Sequence, residues 1–271
     1  MTASISLPAR NAGRLSADRF AGFGPLFRKE LLEWAHSKRP WVIVAVTTMF
    51  MTLTAANSAI NAWIVANVPE AMVSGAPITL DPTMNFLAAV SSQIFVLVAI
   101  FAAMSLLVAD RERGTLAWVA SKPVSRSAIW LSKWAAASIV VSIVAGIVPM
   151  AATFGLVAVL YGSAGVGTFV VATVGVVASI AFITAVVLAA SAVISNQAAV
   201  AAIGFAVFFL PQILVSLVPI DIEPFLPTSI MGWAIGLAGG ADVGLVTPIV
   251  WLMSVGALAA FASWRMERME F

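Results

Sequence analysis

Residues 134–220 read WAAASIVVSIVAGIVPMAATFGLVAVLYGSAGVGTFVVATVGVVASIAFITAVVLAASAVISNQAAVAAIGFAVFFLPQILVSLVPI, without one Asp, Glu, Lys or Arg. A soluble domain cannot hide so much continuous apolar surface, whereas a bilayer can, at about 20 apolar residues per crossing. The stretch is too long for one span, and turn chemistry divides it. Tyr161-Gly162-Ser163-Ala164-Gly165-Val166-Gly167 closes one helix and Ser195-Asn196-Gln197 closes the next. The reading is a span over about 134–160, a second over 168–194 and a third over 198–218. Pro149 and Pro211 lie inside two of them, where a membrane bundle tolerates a kink.

The same criterion works outward, because a charge at the bilayer centre costs about 2.5–3.5 kcal/mol on insertion scales. No charge separates Arg39 from Glu70, which predicts a span over 41–63 with Trp41 and Trp63 at its ends. None separates Asp81 from Asp110, which predicts 85–109, and the last apolar run predicts 246–264. The fold class expected is all-α, a polytopic membrane protein of six transmembrane helices. The whole composition agrees: 62% of the 271 residues are hydrophobic and 10% charged, with a mean hydropathy of +1.05.

The basic residues confirm the count independently. Seven Lys and Arg precede the first span, five lie between the second and third, and two follow the sixth, which accounts for all 14. With six spans, every one falls on the same side, and the positive-inside rule makes that side the cytoplasm. Both termini are then expected there. The opposite side holds only acids: Glu70, Asp81, Asp221, Glu223 and Asp242.

Residues 1–24 are not a signal peptide, since Arg10, Arg14, Asp18 and Arg19 interrupt any apolar core; a flexible, mildly basic cytoplasmic tail is expected. Residues 25–271 are expected to form one transmembrane domain. Its first element is an amphipathic helix over Pro25–Ser37, in which Phe27, Leu31 and Trp34 share a face, while Arg28, Lys29, Glu33 and His36 fall largely elsewhere. Such a helix lies on the inner membrane surface, either as a functional element or as a simple basic anchor. His36 is the one histidine, and it reads as a solvated residue.

The loop 110–133 is the longest cytoplasmic connection. Gly114 can break the helix before it, Leu116, Val119 and Ala120 offer a short apolar face, and Ser125 can cap a helix running through Ile129 and Trp130. This form suits docking on a soluble partner, though an ordinary basic topology loop has the same composition. On the outer side, loop 219–245 contains the apolar run Ser229–Ala238, too short to cross, which is expected to be a re-entrant or interfacial helix.

Phe27-Arg28-Lys29-Glu30-Leu31 before the first span resembles ABC-2 type permeases. So does Glu112-Arg113-Gly114-Thr115-Leu116, followed by Ser121-Lys122-Pro123-Val124-Ser125-Arg126-Ser127 and Lys133. The resemblance runs over nearly the whole chain, with the central loop its most specific part. It implies that the loop carries a coupling helix docking on an ATP-binding subunit, with Arg111, Glu112, Arg113, Gly114, Thr115 and Leu116 at that interface and the amphipathic helix beside it. It also implies a cavity between the second and fifth spans, nominating Gln93, Phe101, Phe205, Phe208 and Phe209 as a cargo path. Two permease copies, identical or homologous, would pair with two ATP-binding subunits in a prokaryotic inner membrane and export a hydrophobic or amphiphilic cargo.

Several classes lack their residues. There is no G-x-x-x-x-G-K-[ST], so ATP and Mg would bind the partner and not this chain. There are no cysteines, and no His-rich or paired-carboxylate constellation within a span, so neither catalysis nor a metal site is expected. No nucleic-acid partner is expected; membrane lipid is. No ionisable residue falls in the centre of an assigned span, which disfavours an ion-coupled transporter. The remaining alternative is a permease resembling those of nitrous-oxide-reductase assembly, with a sulfur- or metal-related cargo. The neutral polar residues Thr54, Asn57, Ser58, Asn61, Asn85, Ser91, Ser92, Gln93 and Gln212 read either as interhelical hydrogen-bonding groups or as part of a substrate path.

Overall fold

The structure, a computed structural model, describes residues 20–67, 79–217 and 221–268. Most of the N-terminal tail, Glu70 and Pro219 lie outside the described residues. Every regular element among those described is helical: α1 (Phe23–Ala35), α2 (Arg39–Asn67), α3 (Pro82–Ser91), α4 (Ile94–Ala103), α5 (Val108–Glu112), α6 (Thr115–Ala120), α7 (Arg126–Val141), α8 (Val148–Leu160), α9 (Val166–Ser191), α10 (Gln197–Leu217), α11 (Ile230–Ala238) and α12 (Val246–Glu267). Six helical runs are long and apolar enough to cross a membrane: Arg39–Asn67, Pro82–Glu112, Arg126–Leu160, Val166–Ser191, Gln197–Leu217 and Val246–Glu267. The protein is an all-α polytopic membrane protein, with a basic end and an acidic end.

Span 4, α9, is the central helix. It packs on α4, α7, α10, α11 and α12, and its buried face runs from Ala172 to Ser191. Small residues on it admit close neighbours. A Cβ on Gly175 would overlap the Ala234 Cβ of α11, so the short outer helix is seated directly against span 4. At nine residues α11 reaches about 13 Å, under half the hydrocarbon thickness. The apolar run at 229–238 is therefore a docked helix that does not cross.

Two spans differ from uniform rods. Span 2 breaks at Ser92–Gln93, where Gln93 has φ 52°, the left-handed region, unlike any other non-glycine residue described. Ser91 returns its hydroxyl to the Leu87 carbonyl at 2.8 Å, and this run of short polar side chains competes with the helical ladder. Span 3 contains a π-helical turn, Ser142–Ile147, just before Pro149. Proline supplies no N–H, and widening the preceding turn absorbs the lost bond. The helix of span 3 begins at Arg126, where Ser125, the expected N-cap, accepts from the Ala128 N–H at 3.1 Å, and it runs unbroken into the apolar stretch expected from 134. Asn196 caps α10 in the same way through Ala199 N.

The polar residues of the spans mostly bond within their own helices. Thr54 donates to Phe50 O, Asn85 to Thr79 O and Asp81 O, and Gln212 to Phe208 O. Each of these bonds stays within six positions along the chain, so no neighbouring helix is needed. The ties between helices come instead from aromatic polar tips. Trp134 and Trp251 each donate an indole N–H to α9, at Ala181 O and Ala178 O, both at 3.0 Å. The Tyr161 hydroxyl donates to Ala55 O at 2.8 Å and accepts from Ala59 N at 2.9 Å.

Candidate functional site

The loop 110–133 and α1 form one packed unit at the basic end. Its centre is Lys133, with only 4% of its side chain exposed, held 2.9 Å from Glu30 Oε1 and 2.5 Å from Asp110 Oδ2. Glu30 comes from α1, Asp110 from the end of span 2 and Lys133 from α7, so one ammonium joins three elements. Thr115, the first residue of α6, donates to Asp110 O at 3.0 Å and lies 3.1 Å from Asp110 Oδ1, which ties the short loop helix to the same carboxylate. Lys29 extends the network to Glu30 and Glu33 at 3.2 and 2.8 Å. Burial by itself would lower the Lys29 ammonium, but the carboxylates of Glu33 and Glu30 outweigh it and hold its pKa above the ordinary lysine value.

This changes the reading of α1. Its face against α7 buries Glu30 and Trp34, with Phe27 and Leu31 partly covered and Arg28 exposed. The helix is docked through a buried carboxylate as well as through its apolar residues. Ser125 N donates to Ala21 O at 2.9 Å, bringing the loop back onto the chain just before α1. Gly22, at φ 84°, lies under Val124 so closely that any Cβ there would collide with it.

The loop helix itself has two sides. Leu116, 2% exposed, enters a core with Ile129 and Trp130 of α7, Leu188 of α9 and Met266 of α12. Arg111 turns inward and donates to the carbonyls of Ser191 and Ala192 at the end of α9. Arg126 does the same for Met266 and Glu267 of α12. Both arginines cap helix C-termini, where carbonyls lack partners and the dipole favours a cation. The outward side carries Glu112, Arg113, Gly114 and Thr115, all exposed, with Gly114 making the break at φ 69°. It also carries Trp118, 64% exposed, with the Lys122 ammonium 4.2 Å from its ring centroid. Trp118 escaped the sequence reading; its signal was a large aromatic between the small residues of a short charged loop.

Of the nominated cargo residues, the four phenylalanines come together. Phe101 meets Phe205 edge to face at 5.6 Å, Phe205 stacks on Phe209 at 6.2 Å, and Phe208 meets Phe209 at 5.0 Å. Phe101 and Phe209 are exposed, whereas Phe208 is buried in the core. Gln93 is not with them: it lines a separate crevice with Pro211, Gln212 and Glu223. Among the described residues, no three His, Cys, Asp or Glu side chains converge as a metal site would require.

A family model described as "ABC-2 family transporter protein" matches residues 25–230, from the start of α1 into α11. No curated protein matches the chain.

Proposed function

Since the chain belongs to the ABC-2 transporter family, we propose that it is the permease subunit of an ATP-driven exporter, coupled to its ATPase through the loop 110–133. The observation that carries this reading is the two-sided loop. Leu116, Arg111 and the Asp110–Thr115 contacts hold α6 against three spans, while Glu112, Arg113 and Trp118 are left facing outward. A rigidly rooted helix with an exposed tryptophan and paired charges is what a moving soluble partner can push or pull. Two copies of the permease and two ATP-binding subunits make the assembly, with ATP and Mg on the latter. The basic end lies in the cytoplasm of a prokaryotic cell, and both termini are there. The phenylalanine cluster of spans 2 and 5 favours an apolar or amphiphilic cargo, moved by alternating access.

Two outcomes test this. The sequence has no cysteine, so single cysteines can be placed without background. An impermeant maleimide applied to intact cells should label Asp242→Cys and leave Ser121→Cys unlabelled; the reverse pattern overturns the orientation. The purified chain should hydrolyse no ATP by itself, and hydrolysis should appear when its ATP-binding subunit is added. Steady hydrolysis by a preparation free of any partner would sink the reading.

A further inference from the structure

A crevice of about 580 Å³ opens between span 1 and span 2 at the basic end. Its walls are apolar, with Val42 and Val46 of α2 facing Val98 and Phe101 of α4. Its mouth carries Lys38 and Arg39, both exposed. The salt bridges among the described residues engage Lys29 and Lys133; neither Lys38 nor Arg39 enters one. Lys38 precedes and Arg39 begins α2, whose first turn holds no acid. In the first turn, Arg39 N already donates to Ser37 Oγ at 3.1 Å and Val42 N to Lys38 O at 3.4 Å, and Pro40 has no N–H, so the attraction for an anion comes from the two side-chain cations beside the positive end of the helix dipole.

We propose that this crevice binds an anionic phospholipid of the surrounding leaflet. Its headgroup lies on the Lys38 and Arg39 side chains, and an acyl chain follows Val42 and Val46. The dimensions agree with the charges. From Lys38 to Val46 the helix rises about 12 Å, close to the depth of one leaflet of a roughly 30 Å hydrocarbon core, and the cations sit at its headgroup edge. The inference rests on membrane embedding alone and needs neither cargo movement nor an ATPase, so its failure leaves the transport reading untouched, and the reverse.

The test reconstitutes the purified chain in mixed phosphatidylcholine and phosphatidylglycerol vesicles and counts retained lipids by native mass spectrometry after gentle extraction. The parent should retain phosphatidylglycerol selectively. Lys38→Gln with Arg39→Gln should reduce that retention about tenfold or more, since each basic residue near an anionic surface contributes measurably. Lys122→Gln with Arg268→Gln removes the same charge from the same end, away from the crevice, and should leave retention as in the parent. Val46→Trp keeps the cations and fills the apolar wall, and it too should abolish selective retention; Val42→Trp, at a more exposed position, serves if the first variant folds poorly. Equal retention by the Lys38 and Arg39 variant and its control would refute the site. So would competition by free glycerol phosphate, which has no chain. A tryptophan variant that splits a dimer while keeping its phosphatidylglycerol would assign the crevice to a second copy instead.

Discussion

Lys133→Met is expected to lower the stability of the purified protein by roughly 3–5 kcal/mol, the cost of removing one partner from a buried ion cluster. Among the described residues, Lys133 is the one cation within bonding distance of both Glu30 and Asp110. Without it, the Glu30 carboxylate, 6% exposed, keeps only the peripheral Lys29 at 3.2 Å, and Asp110 keeps Thr115. Two carboxylates then face each other across a packed junction of α1, α5 and α7. The expected result is early thermal loss of the monodisperse species in detergent, with α1 becoming accessible to protease. The triple variant Glu30→Gln, Asp110→Asn, Lys133→Met removes all the charges together and should recover much of the loss, because amides can bond one another where carboxylates repel. Parent-like melting of Lys133→Met would show that the cluster is hydrated and holds nothing together.

That cluster also marks where sequence reading runs out. Charges serve there as boundary markers, and the rule puts five of the six spans within four residues of the helices observed. The same rule ends the loop at Lys133 and starts span 3 at 134, whereas the helix that Ser125 caps begins at Arg126 and carries Lys133 midway along its first α-helical segment. A charge that bounds a span and a charge that pins three helices look alike in a linear string; only the approach of Glu30, about a hundred positions away, separates them. Arg111 shows the same limit. The family resemblance groups it with Glu112 and Arg113, but a helical turn gives consecutive residues different directions, and Arg111 points to the end of α9. The cap at Ser125 and the breaks at Gly114 and Asn196 were legible, because they are local chemistry. The Gln93 kink was not: Ser91-Ser92-Gln93 reads as helix-compatible until the Leu87 carbonyl is seen to be engaged.

The difference in direction between neighbours also gives the sharpest test of partner docking. Trp118→Ala removes an aromatic that is 64% exposed and whose ring meets the Lys122 ammonium, outside the buried core, so the isolated permease should melt nearly as the parent does. Docking should suffer. Exposed tryptophans at the centre of an interface are worth about 2 kcal/mol or more when truncated, which is a loss of roughly thirtyfold in affinity for the ATPase. Glu112→Lys should act in the same sense: a charge-assisted hydrogen bond contributes about 1.5–3 kcal/mol, and less if it lies at the rim. Arg111→Ala should behave in the opposite way. It frees the carbonyls of Ser191 and Ala192, so thermal stability should fall before docking does. Co-purification with the ATP-binding subunit, together with ATPase activity in reconstituted vesicles, reads one effect, and melting of the permease alone reads the other. Should Trp118→Ala and Glu112→Lys bind and couple as the parent does, the outward side of α6 is not the docking surface. Should Arg111→Ala lose the partner while melting normally, the inward geometry of its guanidinium is wrong. The two profiles divide one loop into a face that holds the bundle and a face that receives the partner, from residues seven positions apart.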